Sequence, residues 1–180
     1  MMTALLLSEQ DARQIVADAR DARLNEICGL LAGHNGRVEW VCPVPNSAAD
    51  ARHYYAMEPA AMVEAMFEIE RLGFSLIGIY HSHPDSEPIP SQTDIAQSAY
   101  PDLIYLIVGL RGSEPRLAAW RLRSYEVEAV ELHVGPLPPA DEPQELTNLQ
   151  KSAIVIGAIL AFVFMIVVSL SLLPPAPKIP

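Results

Sequence analysis

Two histidines, His81 and His83, stand at the end of the largely apolar run SLIGIYHSH that begins at Ser75. In an extended strand residues i and i+2 share a face, so the two imidazoles project together, and Pro84 ends the strand pairing just beyond them. Two neutral imidazoles side by side suit zinc. After six further residues comes Ser91, and after two more Asp94, at the start of the helix-like stretch SQTDIAQSA. Asp94 would add an oxygen donor. Three protein ligands with the fourth position left for water is the ligand count of a catalytic zinc. The same Ser-x-x-Asp spacing is that of a helix-capping box, which needs no metal. The two readings are compatible, because a helix start gives a ligand a fixed position.

Glu26 immediately precedes the apolar run ICGLLAG. Taken alone it reads as a solvated strand-end carboxylate, because charged groups are mostly exposed. Taken together, Glu26 before Cys28-Gly29-Leu30-Leu31, then His81-Ser82-His83-Pro84, Ser91 and Asp94 resemble the JAMM/MPN+ zinc metalloprotease family, in its compact prokaryotic form, over about residues 4–134. The resemblance implies a three-layer α-β-α fold with a mixed central sheet, of the kind shared with cytidine deaminases. It also implies one Zn2+ per chain held by His81, His83 and Asp94. Glu26 would take the proton from the attacking water and pass it to the leaving amine. Ser91 would donate to the developing oxyanion, and Ser82 and Pro84 would shape the loop. A deaminase itself is disfavoured, because that chemistry needs a Pro-Cys-x-x-Cys ligand pair and Cys28 and Cys42 cannot make one. His34, His53 and His133 lack partners at ligand spacing and read as structural or surface residues.

Several elements must carry this constellation. Ser8 reads as an N-cap, followed by Ala12, Ile15, Val16 and Ala19 at helical spacing, which predicts a helix over about 9–22. ICGLLAG and VEWVCPV, separated by His34-Asn35-Gly36-Arg37, predict a β-hairpin. HYYAME suggests a short strand, and Pro59 opens a helix over about 59–72 with Met62, Met66 and Ile69 on one side. The runs from Ser75 and from Leu103 read as central strands covered on both faces. Residues 116–122 and 127–134 alternate as half-exposed strands do, with Gly112-Ser113-Glu114-Pro115 as the turn before the first of them.

The 180 residues suit one compact catalytic domain, 1–135, with a Pro-rich acidic linker, 136–152. From Ala153 to Leu173 the sequence runs 21 residues without a charge, which predicts a transmembrane helix, followed by a short tail over 174–180. Lys151 and Lys178 flank this segment evenly, so charge bias does not orient it. The simplest topology leaves residues 1–150 in the cytoplasm. Ala153, Gly157 and Ala161 form a small-residue stripe compatible with a homodimer. Residues 1–150 hold all 22 acids and only 10 basic residues, every one an Arg, which excludes nucleic acid as a natural partner. The two cysteines read as buried, reduced thiols. The missing lysines fit either compositional bias or an enzyme that escapes lysine-directed conjugation.

The resemblance thus implies an isopeptidase or peptidase acting after the C-terminal Gly-Gly of a ubiquitin-like or sulfur-carrier-like modifier. A tail without side chains would enter a narrow channel and bind by strand addition to a sheet edge. Two other readings stand beside it: a catalytically silent scaffold tethered to the membrane, and a peptidase releasing an amino acid from a sulfur-carrier adduct. Only eight residues separate Asp94 from Leu103, little room for a segment that grips polyubiquitin.

Overall fold

The computed structural model describes residues 4–22, 24–123, 126–136, 152 and parts of 156–168. The chain divides into two units, Met1–Pro138 and Pro139–Pro180. In the first, the elements run β1 (Ala4–Leu7), α1 (Glu9–Asp21), β2 (Cys28–His34), β3 (Arg37–Val44), α2 (Pro59–Arg71), β4 (Ser75–His83), α3 (Gln92–Gln97), β5 (Ile104–Gly109), β6 (Arg116–Arg123) and β7 (Glu126–Val134). The sheet is mixed. β4 runs parallel to β5, and β1 parallel to β3 and β7, while the remaining pairs are antiparallel.

Local chemistry accounts for the helix starts. Ser8 caps α1 by accepting from Asp11 N–H, and Glu58 caps α2 by accepting from Ala60 and Ala61 N–H, with Pro59 in the first turn. The β2–β3 reversal turns at Asn35 and Gly36, as their sequence predicts.

Adjacent residues of the central strands feed two separate apolar cores. Leu31, Tyr80, Leu106 and Val108 pack with Ile15 and Ala19 of α1, whereas Leu30, Ile79, Tyr105 and Leu122 pack with Ala65 and Ile69 of α2. Fully burying a side chain such as Leu106 or Ile107, both 0% exposed, stabilises the fold by about 1.5–3 kcal/mol. β4 carries a bulge: Leu31 pairs with Gly78 but Ala32 with Leu76, so Ile77 is an extra residue. Above the bulge the odd-numbered residues face α2, and His81 and His83 follow Ile79 onto that side.

Three expectations are corrected, and one strand is added that the sequence did not suggest. HYYAME forms no strand; it makes a single isolated bridge, Asn46 to Met57, because the segment wraps around the Asn46 side chain instead of a neighbouring strand. Ala4–Leu7, too short to show a period, is a strand, and it joins β3 to β7 so that the sheet closes on itself. Its link to β3 is the one pair Leu6–Arg37, so the outer edge of β3 from Glu39 to Val44 has no strand partner among the described residues. Cys42, on β3, is only half-buried, whereas Cys28 is buried; both are free thiols. On α2, Met66 is 39% exposed, and Ala65 with Ile69 makes the buried stripe.

In the second unit, the described residues between 152 and 168 are helical and exposed. Much of the predicted span 153–173, the linker from residue 137 and the tail from 174 lie outside the described residues. Among the described residues no helix is long and apolar enough to cross a membrane.

Candidate metal centre

β4 delivers both imidazoles to one point. His81 Nε2 and His83 Nε2 lie 3.0 Å apart, and Asp94 Oδ1 and Oδ2 lie 3.4 and 3.3 Å from them respectively. The three side chains are 0%, 6% and 8% exposed. Four ligands about 2.0–2.1 Å from a zinc ion sit about 3.3 Å from one another in a tetrahedron. The observed spacings match such an edge, so the donor set fits zinc in both chemistry and size.

Asp94 reaches this point from α3. Ser91 Oγ accepts from Asp94 N–H at 3.1 Å, and Ser91 N–H donates to Asp94 Oδ2 at 2.6 Å, a complete capping box. The cap and the ligand are therefore the same residue. Burial alone would raise the Asp94 carboxyl, but hydrogen bonds from His81, His83 and Ser91 N–H outweigh it and hold the group well below the usual carboxylate range. Burial lowers His81 below its ordinary value, which keeps the ring neutral and able to donate a lone pair. For His83, burial works the same way but is outweighed by Asp94 and the Glu87 carbonyl, which raise it.

The two rings are fixed differently. His83 Nδ1 lies 3.1 Å from the Glu87 carbonyl oxygen and donates to it, which leaves Nε2 free to ligate. His81 is stacked on Tyr55 at 4.4 Å between centroids, while its buried Nδ1 has no hydrogen-bond partner among the described residues. The Glu87 loop is pinned in turn. Trp120 Nε1 donates to Pro88 O at 2.8 Å, Arg116 pairs with Glu87 at 2.9 Å, and Gly109 lets the loop lie directly on β5.

Glu26 sits beside this cluster, 7% exposed. Its backbone N–H donates to Ala51 O at 2.7 Å, and its carbonyl accepts from Asn46 Nδ2 at 2.9 Å. Burial raises its carboxyl to about 7, with His83 opposing and Asp94 and Asp50 adding to the rise. Such a group exchanges a proton near neutral pH. Glu26, His83 and Ser91 line one cavity of about 220 Å³, together with Arg52, His53, Pro84, Asp85 and Ser86.

The sequence-predicted residues Glu26, His81, His83, Ser91 and Asp94 thus converge. Pro84 lines the cavity as expected of the loop. Ser82 does something else: it is wholly buried and its Oγ accepts from Ile27 N–H, tying the Glu26 segment to β4. His34 lies on Gly73 O and Glu39 away from the site, and His133 is exposed. His53, paired with Asp50, stands at the cavity mouth with Arg52, a placement its lone spacing did not reveal. Tyr55, Glu87, Trp120 and Asn46 act through packing or backbone groups, which leave no spacing signal in a sequence.

Comparison with known proteins agrees with this geometry. Over 107 residues the chain is 38% identical to the desampylase of Haloferax volcanii, covering 52% of this chain and 77% of that protein. It is 32% identical over 115 residues to the CysO-cysteine peptidase of Mycobacterium tuberculosis, covering 63% of this chain and 75% of the peptidase. A solution structure of a Desulfitobacterium hafniense protein superposes with a TM-score of 0.68 at 27% identity, covering 78% of this chain and 99% of that one. Residues 8–123 match the model of the prokaryotic homologs of the JAB domain, a stretch that runs from the α1 cap to the end of β6 and includes every residue of the cluster. The chain belongs to that family.

Proposed function

We propose that this protein is a zinc-dependent isopeptidase that hydrolyses the amide bond after the C-terminal Gly-Gly of a ubiquitin-like or sulfur-carrier-like modifier. The observation that carries the reading is the buried triad of His81, His83 and Asp94 beside a carboxyl group, Glu26, raised to about 7. The desampylase and the CysO-cysteine peptidase supply the substrate class by similarity.

His81, His83 and Asp94 would hold the zinc. When bound there, zinc lowers the pKa of a coordinated water to about 7 and polarises a carbonyl oxygen. Glu26 takes the proton of the attacking water and returns it to the leaving amine, a task suited to a carboxyl group that gains and loses a proton near pH 7. The Ser91 hydroxyl oxygen accepts from Asp94 N–H, so its own O–H remains free to donate to the developing oxyanion. The cavity of about 220 Å³ suits a chain without side chains, and the outer edge of β3, which has no strand partner from Glu39 to Val44 among the described residues, would pair with an extended tail.

Residues 153–173 are proposed as a single-pass anchor, on the strength of 21 consecutive uncharged residues, with the catalytic domain 1–135 on the cytoplasmic side of a tether over 136–152. A homodimer through Ala153, Gly157 and Ala161 belongs to the same proposal.

The test is cleavage of a Gly-Gly-lysine isopeptide by the purified full chain. Turnover that stops with 1,10-phenanthroline and returns with one equivalent of Zn2+ is expected. A protein that binds no zinc and cleaves nothing would instead be a scaffold.

A further inference from the structure

The cavity beside the metal ligands has a buried floor and an exposed rim. Glu26 and the His83 side chain are 7% and 6% exposed, whereas the side chains of Arg52 and Asp85, which line the same cavity, are 48% and 61% exposed. Arg52 Nη2 donates to Asp85 Oδ2 at 2.8 Å. Neither residue has a part in the proposed hydrolysis.

The pair joins two loops that are each fixed at their base. Arg52 follows Ala51, whose carbonyl accepts from Glu26 N–H, and Asn46 Nδ2 holds the same loop at Tyr54 O. Asp85 lies between His83 and Glu87, whose carbonyl accepts from His83 Nδ1, and Trp120 fixes the next residue, Pro88. Among the described residues no other hydrogen bond or ion pair links the stretch 46–57 to the stretch 84–91. His53, also at the rim, pairs with Asp50 inside its own loop. The two sides of the rim are therefore tied by one exposed ion pair. Such a pair favours its closed form by a factor of only about two to five, so roughly one chain in three to six is open at any time.

We propose that Arg52 and Asp85 are a specificity-determining pair that narrows the rim around the amine half of the conjugate. The proposal rests on the isopeptidase reading. The leaving nitrogen must reach the floor, where Glu26 returns its proton, so the remainder of the amine half has to pass the rim. An unbranched carbon next to that nitrogen, as in a lysine side chain, needs a passage one methylene wide. A carbon bearing a second substituent, as in an α-linked amino acid, needs the pair open and is accepted only by the open fraction. The pair thus favours lysine isopeptides over α-linked conjugates about three- to sixfold.

The experiment uses the zinc-loaded full chain and a peptide ending in Gly-Gly, joined as an amide to 1-aminopentane or to 3-aminopentane. These amines are isomers that differ only in branching next to the nitrogen. The preference for the unbranched amide, read as a ratio of kcat/KM values, should shrink about three- to sixfold in Arg52→Met and in Asp85→Leu, which keep side-chain bulk but cannot form the ion pair. The double variant should shrink it no further, because each change removes the same contact. Raising the salt concentration should shrink it in the parent chain and not in the variants. A purely structural role would move both amides together. An unchanged ratio in either single variant, effects that multiply in the double variant, or a parent ratio indifferent to salt would overturn the pair. If neither amide is cleaved, access through the rim is read by NMR, from relaxation of the His83 ring protons by a neutral soluble nitroxide. A rise of about threefold in Arg52→Met upholds the narrowed rim although the isopeptidase reading has failed, and no rise overturns the narrowed rim as well.

Discussion

Ser82 Oγ accepts a hydrogen bond from Ile27 N–H at 3.0 Å, across 55 positions of sequence. The residue between the two imidazoles thereby holds the residue that follows Glu26, and Ser82 N–H returns a bond to Ile27 O at 3.1 Å. The distance between proposed base and ligands is set by this staple. Ser82→Ala should leave zinc content at one per chain, cost about 1–2 kcal/mol of stability in urea unfolding, and lower kcat about tenfold. An unchanged kcat would show that the staple has no part in placing Glu26.

Glu26→Gln should keep the zinc and lose about 10² to 10⁴ in kcat, since it removes the proton acceptor. Stability supplies a second readout in the metal-free chain. The folded-state carboxyl is raised from 4.5 to about 7, so the folded form holds its proton more tightly than the unfolded form. Its stabilising effect is complete below pH 4.5, declines between 4.5 and about 7, and is gone above that range. Above pH 7 metal-free Glu26→Gln should therefore exceed the parent protein by on the order of 2 kcal/mol, with no difference near pH 4. Equal unfolding midpoints at pH 8 would contradict the burial argument.

Ser91 combines two tasks that separate by substitution. Ser91→Ala should lose about 1 kcal/mol of helix capping and about 10² to 10³ in kcat. Ser91→Asp keeps a capping oxygen but has no hydroxyl proton, so it should recover stability without recovering turnover. Recovery of both would reduce Ser91 to a cap.

Gly109 acts at one remove from the metal. A methyl group there would lie 2.5 Å from Pro88 N and 2.8 Å from the Glu87 carbonyl carbon. The Glu87 carbonyl is what His83 Nδ1 donates to, so Gly109→Ala should shift that loop and weaken zinc binding about 10–100-fold, the range for loss of a hydrogen bond behind a ligand. Competition with a chromogenic chelator measures it, and parent-like affinity would exclude the loop as a support.

The cluster itself was legible because strand and cap geometry tie residue types to fixed offsets. His81 and His83 share a face by the two-residue period, and Ser91 and Asp94 meet by the capping offset. Glu26 was legible only through its company, since a lone carboxylate before a strand carries no offset of its own. What escaped detection acts through groups that every residue type possesses or through packing. The Glu87 carbonyl, the Ile77 bulge that sets the facing of β4, and the four-residue β1 leave no periodic trace. The Asn46 side chain bonds Glu26 O, Tyr54 O, Ala48 N–H and Ala56 N–H, and so replaces the strand that HYYAME suggested.

The proposed hydrolysis requires one zinc ion among His81, His83 and Asp94, with Glu26 within reach of the attacking water. Anomalous diffraction at the zinc edge, on crystals of the zinc-loaded chain, tests it most directly. A single strong peak is expected within about 2.0–2.2 Å of both Nε2 atoms and an Asp94 oxygen, with the Glu26 carboxylate hydrogen-bonded to the remaining ligand. A peak elsewhere, or a loaded triad with Glu26 turned away from that ligand, would contradict it.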